Sequence, residues 1–214
     1  MFWQTDINGS VRAGKVMLYD ADTGKRVKEP FNHVTWVHSL LRLPDFNLRQ
    51  CFFGEHLLPM NRGKPIAIVE SEKTALVAAY YLPEYVWLAS GGKNGCFNID
   101  ALRVLKGHKV ILYPDIGATD QWRQKLSLLR NLGIDASIFN YLEEVATETE
   151  RTAGLDIADY LLQIEPDQAV LQAMIRKNPM LQKLIDDLQL TLVSVERHDP
   201  DTDAIRKPSK TQSK

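Results

Sequence analysis

Carboxylates placed just after apolar runs are the residues in this sequence best suited to chemistry. Glu70 directly follows Ile66-Ala67-Ile68-Val69, and Asp115 follows the run Lys109 to Tyr113 after a single proline. Two acidic groups that converge from neighbouring strand ends repel each other unless a cation lies between them, and an oxygen-seeking divalent ion is the usual remedy. Such a site polarises phosphate oxygens and supports phosphoryl transfer. Asp156 and Asp159, three residues apart in Gly154-Leu155-Asp156-Ile157-Ala158-Asp159, share one face of a helix start. They read equally well as an N-cap with an acidic first-turn residue and as support for a metal. Asp120, just ahead of Trp122, reads as a turn residue or N-cap as well as a ligand. Glu72, in a first helical turn, reads first as a complement to the helix dipole.

A second group of residues suits phosphate. In Ser90-Gly91-Gly92-Lys93-Asn94-Gly95 the glycines let backbone N–H groups come close to an anion, and Lys93 adds charge. The loop is not a Walker loop, which needs Gly-Lys-Ser/Thr opening a helix. A Gly-rich turn joining strand to helix is the equally ready structural reading.

The elements that must hold these residues follow from periodicity. Met1 to Ile7 and Val11 to Tyr19 are β-rich around the hairpin signal Asn8-Gly9, with a second turn at Asp20 to Gly24. Val34 to Leu43 fits a short helix or a strand. From Pro65 the pattern becomes strand, turn and helix, repeated: strands over Ile66 to Val69, Val86 to Ala89, Lys109 to Tyr113 and Ala136 to Phe139. Helices fall over Glu72 to Leu82, with Ser71 as N-cap, over Ile99 to Leu105, capped by Asn98, and from Thr119 or Asp120 to about Leu132. This alternation predicts an α/β fold: a parallel sheet with helices on both faces, and ligands at the carboxyl ends of its strands. Further helices are expected over Asp156 to Gln163, Asp167 to Lys177 and Met180 to Leu188, with an edge strand over Gln189 to Glu196. The expected organisation is a small α+β subdomain over 1–62, the α/β domain with its C-terminal helices over 63–196, and a flexible tail over 197–214.

Composition excludes several classes. The chain has 214 residues, 44% hydrophobic and 25% charged, enough for one substantial core. No run of about 18 apolar residues exists, and the N-terminus lacks a secretory pattern, so a soluble cytoplasmic protein away from membranes is expected. Cys51 and Cys96 are the only cysteines and read as reduced thiols; with His33, His38 and His56 they match no usual zinc spacing. Net charge is −1, without the overall basic footprint of a general nucleic-acid binder. Residues 1–65 nevertheless carry nine Lys/Arg against six Asp/Glu, whereas residues 141–167 carry one Arg against eight acidic residues.

The order of motifs resembles the TOPRIM domain, in particular the primase-like TOPRIM proteins of plasmids, phages and mobile elements. The motifs are an apolar strand then Val69-Glu70-Ser71-Glu72-Lys73-Thr74-Ala75, a strand then Ser90-Gly91-Gly92, a strand then Tyr113-Pro114-Asp115, and Gly154-Leu155-Asp156-Ile157-Ala158-Asp159-Tyr160-Leu161. About half the chain is covered, and Cys51-Phe52-Phe53-Gly54-Glu55-His56-Leu57-Leu58 resembles the segment leading into that fold. The resemblance implies that Glu70 acts in acid/base chemistry or supports the metal. It makes Asp115 the first of a paired Asp-x-Asp that binds Mg²⁺ or Mn²⁺. Gly117 stands where the second aspartate belongs, so Asp120 is the substitute and Asp156 or Asp159 the remaining ligand; Lys73, Gly91, Gly92 and Lys93 are the phosphate contacts. The implied function is primase-like, metal-dependent nucleotidyl or phosphoryl transfer in DNA replication. DNA or RNA and nucleotides are the implied partners, together with a separate helicase or zinc-binding domain. A non-catalytic interaction module with a degenerate site, a small nuclease of the same architecture, and another α/β nucleotide-binding or receiver fold stand as alternatives.

Overall fold

Asn8-Gly9 turns the chain between β1 (Phe2–Thr5) and β2 (Val11–Met17), with Gly9 at φ +83° and the Asp6 carboxylate accepting the N–H groups of Asn8 and Ser10. A computed structural model of the protein describes residues 1–92 and 95–193. Lys93, Asn94 and the expected tail lie outside the described residues. The chain forms one unit over Met1–Glu165 and a second that begins at Pro166. In the first, β3 (Val34–Trp36) completes an antiparallel sheet of order β1-β2-β3. The ambiguous stretch after His33 resolves into both candidates: β3 runs straight into α1 (Val37–Leu40). A 3₁₀ segment, Glu55–Met60, leads into the second sheet.

Four parallel strands, β4 (Ile66–Val69), β5 (Val86–Ala89), β6 (Lys109–Leu112) and β7 (Asp135–Ile138), stand in the order β5-β4-β6-β7. Side chains alternate across a strand. Ile66, Ile68, Val86, Leu88, Val110, Leu112 and Ala136 therefore share a face, and they pack with Leu102, Leu105, Trp122, Leu126 and Leu129 in one buried core. These partners come from α3 (Ile99–Leu102), the 3₁₀ turn Arg103–Leu105 and α4 (Thr119–Asn131). Ala67, Val69, Trp87 and Ala89 alternate to the other face, and α2 (Glu72–Tyr81) packs on β4 and β5 through small residues such as Ala75 and Ala78. The predicted α/β architecture, with helices flanking a parallel sheet beside a small N-terminal sheet, is the observed one.

Local signals fix the helix ends. Asn98 Oδ1 accepts the Ala101 N–H at the start of α3, and Gly133, at φ +73°, follows α4. Two short helices not anticipated from periodicity, α5 (Tyr141–Val145) and α6 (Glu148–Ala153), precede α7 (Ile157–Leu161). Helices this short carry too few turns to show a period. The second unit contains α8 (Pro166–Lys177) and α9 (Met180–Leu188). The edge strand expected from Gln189 does not form over its described part: Gln189 ends α9 in the left-handed conformation, φ +50°, and residues 190–193 pair with no strand. Among the described residues no helix is long and apolar enough to cross a membrane.

Candidate functional site

The strand order places a switch in winding between β4 and β6: β5 lies to one side of this central pair and β7 to the other. At such a point the loops after the two central strands diverge and open a crevice. Glu70 follows β4 and Asp115 follows β6, so both reach this crevice, and the Tyr113 N–H donates to Ile68 O at 2.8 Å to hold the two strand ends together. Asp115 is half-buried, and its carboxyl is pushed up to about 7. Burial is the main cause, followed by the charges of Asp156, Glu70 and Asp159, with Lys125 acting in the opposite sense. Three of the other four carboxylates expected as ligands thus act on Asp115. Asp120 does not share this environment: its exposed side chain pairs with Arg123 at 2.5 Å along the surface of α4.

Coordination is more restricted than proximity. Asp156 caps α7, its Oδ1 accepting the N–H groups of Ala158 and Asp159, and its Oδ2 accepts the Thr74 hydroxyl of α2 at 2.5 Å. Asp159 Oδ2 accepts the Asp156 N–H at 2.9 Å, completing a capping box. The capping reading of this pair is thus seen in the structure, and the Thr74 bond makes the cap an inter-helix clasp as well. Among the described residues no group of three or more His, Cys, Asp and Glu could hold a metal ion, so the ligand sets drawn from sequence, with Asp120, Asp156 and Asp159 added, are not assembled. Both oxygens of Asp156, Asp159 Oδ2 and Asp120 Oδ1 are engaged instead by backbone, Thr74 and Arg123. Of the five, only Glu70 and Asp115 keep side chains with no hydrogen bond or ion pair among the described residues. Two carboxylates suit Mg²⁺, which commonly binds one or two protein carboxylates and completes its shell with water and substrate phosphate.

Gly117, where the resembled family has a second aspartate, adopts φ +83° and donates its N–H to Glu143 Oε2 at 2.7 Å. Thr119 donates to the same oxygen, and Arg151 pairs with the other. A carboxylate is present beside position 117, but it comes from α5 and is neutralised. The Gly117 N–H and its other partners hold it below the usual range, and it is not among the charges acting on Asp115.

Several residues outside the sequence-derived set shape the site. Lys125 lies on the buried stripe of α4 with Trp122, Leu126 and Leu129, its Nζ 4.1 Å from the Trp122 ring centroid and 4.4 Å from that of Phe97. A lysine at i+3 on an apolar helical face is the signal that could have drawn attention to it. Glu72 is fully buried and pairs with Lys15 of β2, Nζ standing 3.3 Å from both carboxylate oxygens. The helix-dipole reading of Glu72 therefore misses its main partner. Lys15 Nζ also donates to Gly91 O at 2.8 Å, joining the N-terminal sheet to the Gly-rich loop. Lys73 Nζ meets the Gly24 carbonyl at 3.3 Å rather than Gly91 or Gly92.

Fold and site together define an α/β protein with two carboxylates at its switch point that have no partner among the described residues. Residues 1–116 match the model of the family described as Domain of unknown function (DUF6371). This is just over half of the chain, which belongs to that family. The matched segment contains Lys15, Glu70, Glu72, Gly91, Gly92 and Asp115, and ends before Asp156 and Asp159. No curated protein matches the sequence.

Proposed function

We propose that this protein is a TOPRIM-like, metal-dependent domain for nucleotidyl or phosphoryl transfer on nucleic acid, of the primase-like kind, with Glu70 and Asp115 holding Mg²⁺ or Mn²⁺. The observation that carries the reading is the placement of Asp115 and Glu70 after adjacent strands at the switch point, where burial and the charges of Asp156, Glu70 and Asp159 push the Asp115 carboxyl up, an arrangement that favours a cation. A bound divalent ion would supply charge stabilisation to a phosphoryl group. Glu70 and Asp115 would orient that ion, the Asp156–Asp159 capping box would keep negative potential behind it, and Lys125 would limit the repulsion when the crevice is empty of cations. DNA or RNA and nucleotides are the partners this chemistry calls for, with helicase and zinc-binding functions on separate domains.

Calorimetric titration of Mg²⁺ and Mn²⁺ into the intact protein, Glu70→Gln and Asp115→Asn tests it. Binding to the intact protein that is lost in both variants is the expected result. Saturable nucleotide incorporation on a single-stranded template then separates primase from nuclease chemistry. No heat of binding at millimolar metal refutes the metal site. Binding of nucleic acid without turnover would favour the second reading, an interaction module, which the commitment of Asp120, Asp156 and Asp159 to other partners also supports.

A further inference from the structure

The loop after β5 is held from beneath by groups whose geometry fixes one peptide plane. Lys15 is almost wholly buried, yet its ammonium has two tasks, pairing with the Glu72 carboxylate and donating to Gly91 O at 2.8 Å. Ser90 Oγ donates to Gly92 O at 3.1 Å, and the Gly91 N–H donates to Glu70 O at 3.1 Å, so this loop is tied to the residue that bears the proposed metal ligand. The Gly91–Gly92 peptide is trans. In a trans peptide the C=O and the N–H point in opposite directions. Because the Gly91 carbonyl is turned inward to Lys15, the Gly92 N–H is turned outward.

Three observations say what lies there. A Cβ built on Gly92 meets nothing within 4 Å among the described residues, so Gly92 is not packed under the rest of the fold. Gly92 sits at φ +140°, a conformation that side chains rarely adopt, and its N–H has no acceptor among the described residues. Beneath Gly91, by contrast, space is closed: a Cβ there would lie 3.2 Å from Gln4 Nε2 and 3.4 Å from Glu72 Oε1. Gln4 is itself fully buried, and neither of its amide atoms has a hydrogen-bond partner among the described residues. The interior therefore holds Gln4 Oε1 and the Glu72 carboxylate as acceptors that would draw the Gly92 N–H inward if the peptide turned over. Lys15 occupies the carboxylate and captures the carbonyl, which selects the outward orientation. A cation on the carbonyl also polarises the peptide and makes its N–H a stronger donor.

We propose that the outward Gly92 N–H is a backbone donor to a phosphate-type oxyanion, and that Lys15 of the N-terminal sheet is its positioning residue. The inference deepens the phosphoryl-transfer reading and rests on it only for the identity of the anion. Backbone donors in glycine-rich turns hold phosphate without placing further charge in the site, and here the compensating charge lies behind the peptide rather than beside the ligand.

The test is a titration of the ¹⁵N-labelled full chain with inorganic phosphate in the absence of divalent metal, following the Gly92 amide. The expected result is a saturable downfield movement of the Gly92 proton, with an apparent affinity at least about tenfold weaker in Lys15→Met/Glu72→Gln, where the buried pair is removed together. Lys15→Arg, which keeps a donor for the carbonyl, should retain most of the response. Asp115→Asn should keep it too, so loss of metal binding and loss of phosphate binding are read separately. A Gly92 amide that does not respond, or that responds equally in the double variant, overturns the proposal.

Discussion

Replacing Asp115 by asparagine should stabilise the protein at neutral and alkaline pH and leave it unchanged in acid. The side chain keeps its shape while losing the charge that burial and three neighbouring carboxylates oppose. The gap between the ordinary value of 3.8 and about 7 corresponds to roughly 4 kcal/mol, an upper figure for the cost of ionising Asp115 in the folded protein. Near pH 3 and below, the group is protonated in the folded chain and mostly so in the unfolded one, and the cost is nearly absent. Between about 4 and 7 the unfolded chain releases a proton that the folded chain keeps, so this group's contribution to stability falls as pH rises. Above about 7 both states are ionised and the deficit is constant. Urea denaturation of the wild type and Asp115→Asn at pH 3, 5, 7 and 8.5 would show curves that meet at the acid end and separate by up to roughly 4 kcal/mol at the alkaline end. Added salt should narrow the separation by screening the carboxylates, and Mg²⁺ should raise only the wild type. A variant no more stable than the wild type at pH 8.5 refutes the placement of Asp115 among these charges.

Lys15→Met should destabilise the protein by about 3–5 kcal/mol in thermal or urea unfolding, because it strands the fully buried Glu72 carboxylate. Adding Glu72→Gln should recover most of that loss, and failure to recover would mean that Lys15 acts through packing alone. Burial pushes the Cys51 and Cys96 thiols up to about 12, so both should resist iodoacetamide at pH 8 in the native protein and react once urea is added. Reaction of either at the rate of a free thiol before unfolding would contradict the burial.

How far the site could be read in advance differs residue by residue. Glu70 and Asp115 were legible because a strand-end carboxylate follows from two local facts, where an apolar run stops and what comes next. Asp156 and Asp159 were legible as a pair, with their two roles left open, since the spacing of a capping box is also a spacing that puts two ligands on one face. The contact that joins this cap to α2, Thr74 to Asp156, spans 82 positions in the chain. Lys15 to Glu72 spans 57, and no local pattern marks either partner of such a pair.

What the sequence determined by itself is the set of elements: alternating apolar runs and helical stretches, the Asn8-Gly9 hairpin, the Asn98 cap and the Gly133 stop, each encoded within a few neighbouring residues. From these the parallel sheet and the strand-end location of the site follow. Only the tertiary structure decided the order β5-β4-β6-β7, which sets Glu70 and Asp115 on adjacent strands at the switch point. It alone withdrew Asp120, Asp156 and Asp159 into other bonds and brought a lysine from the N-terminal sheet beneath the Gly91–Gly92 peptide. Burial and hydrogen-bond supply depend on every element packed around a group, and no stretch of chain carries that information before the chain has closed on itself.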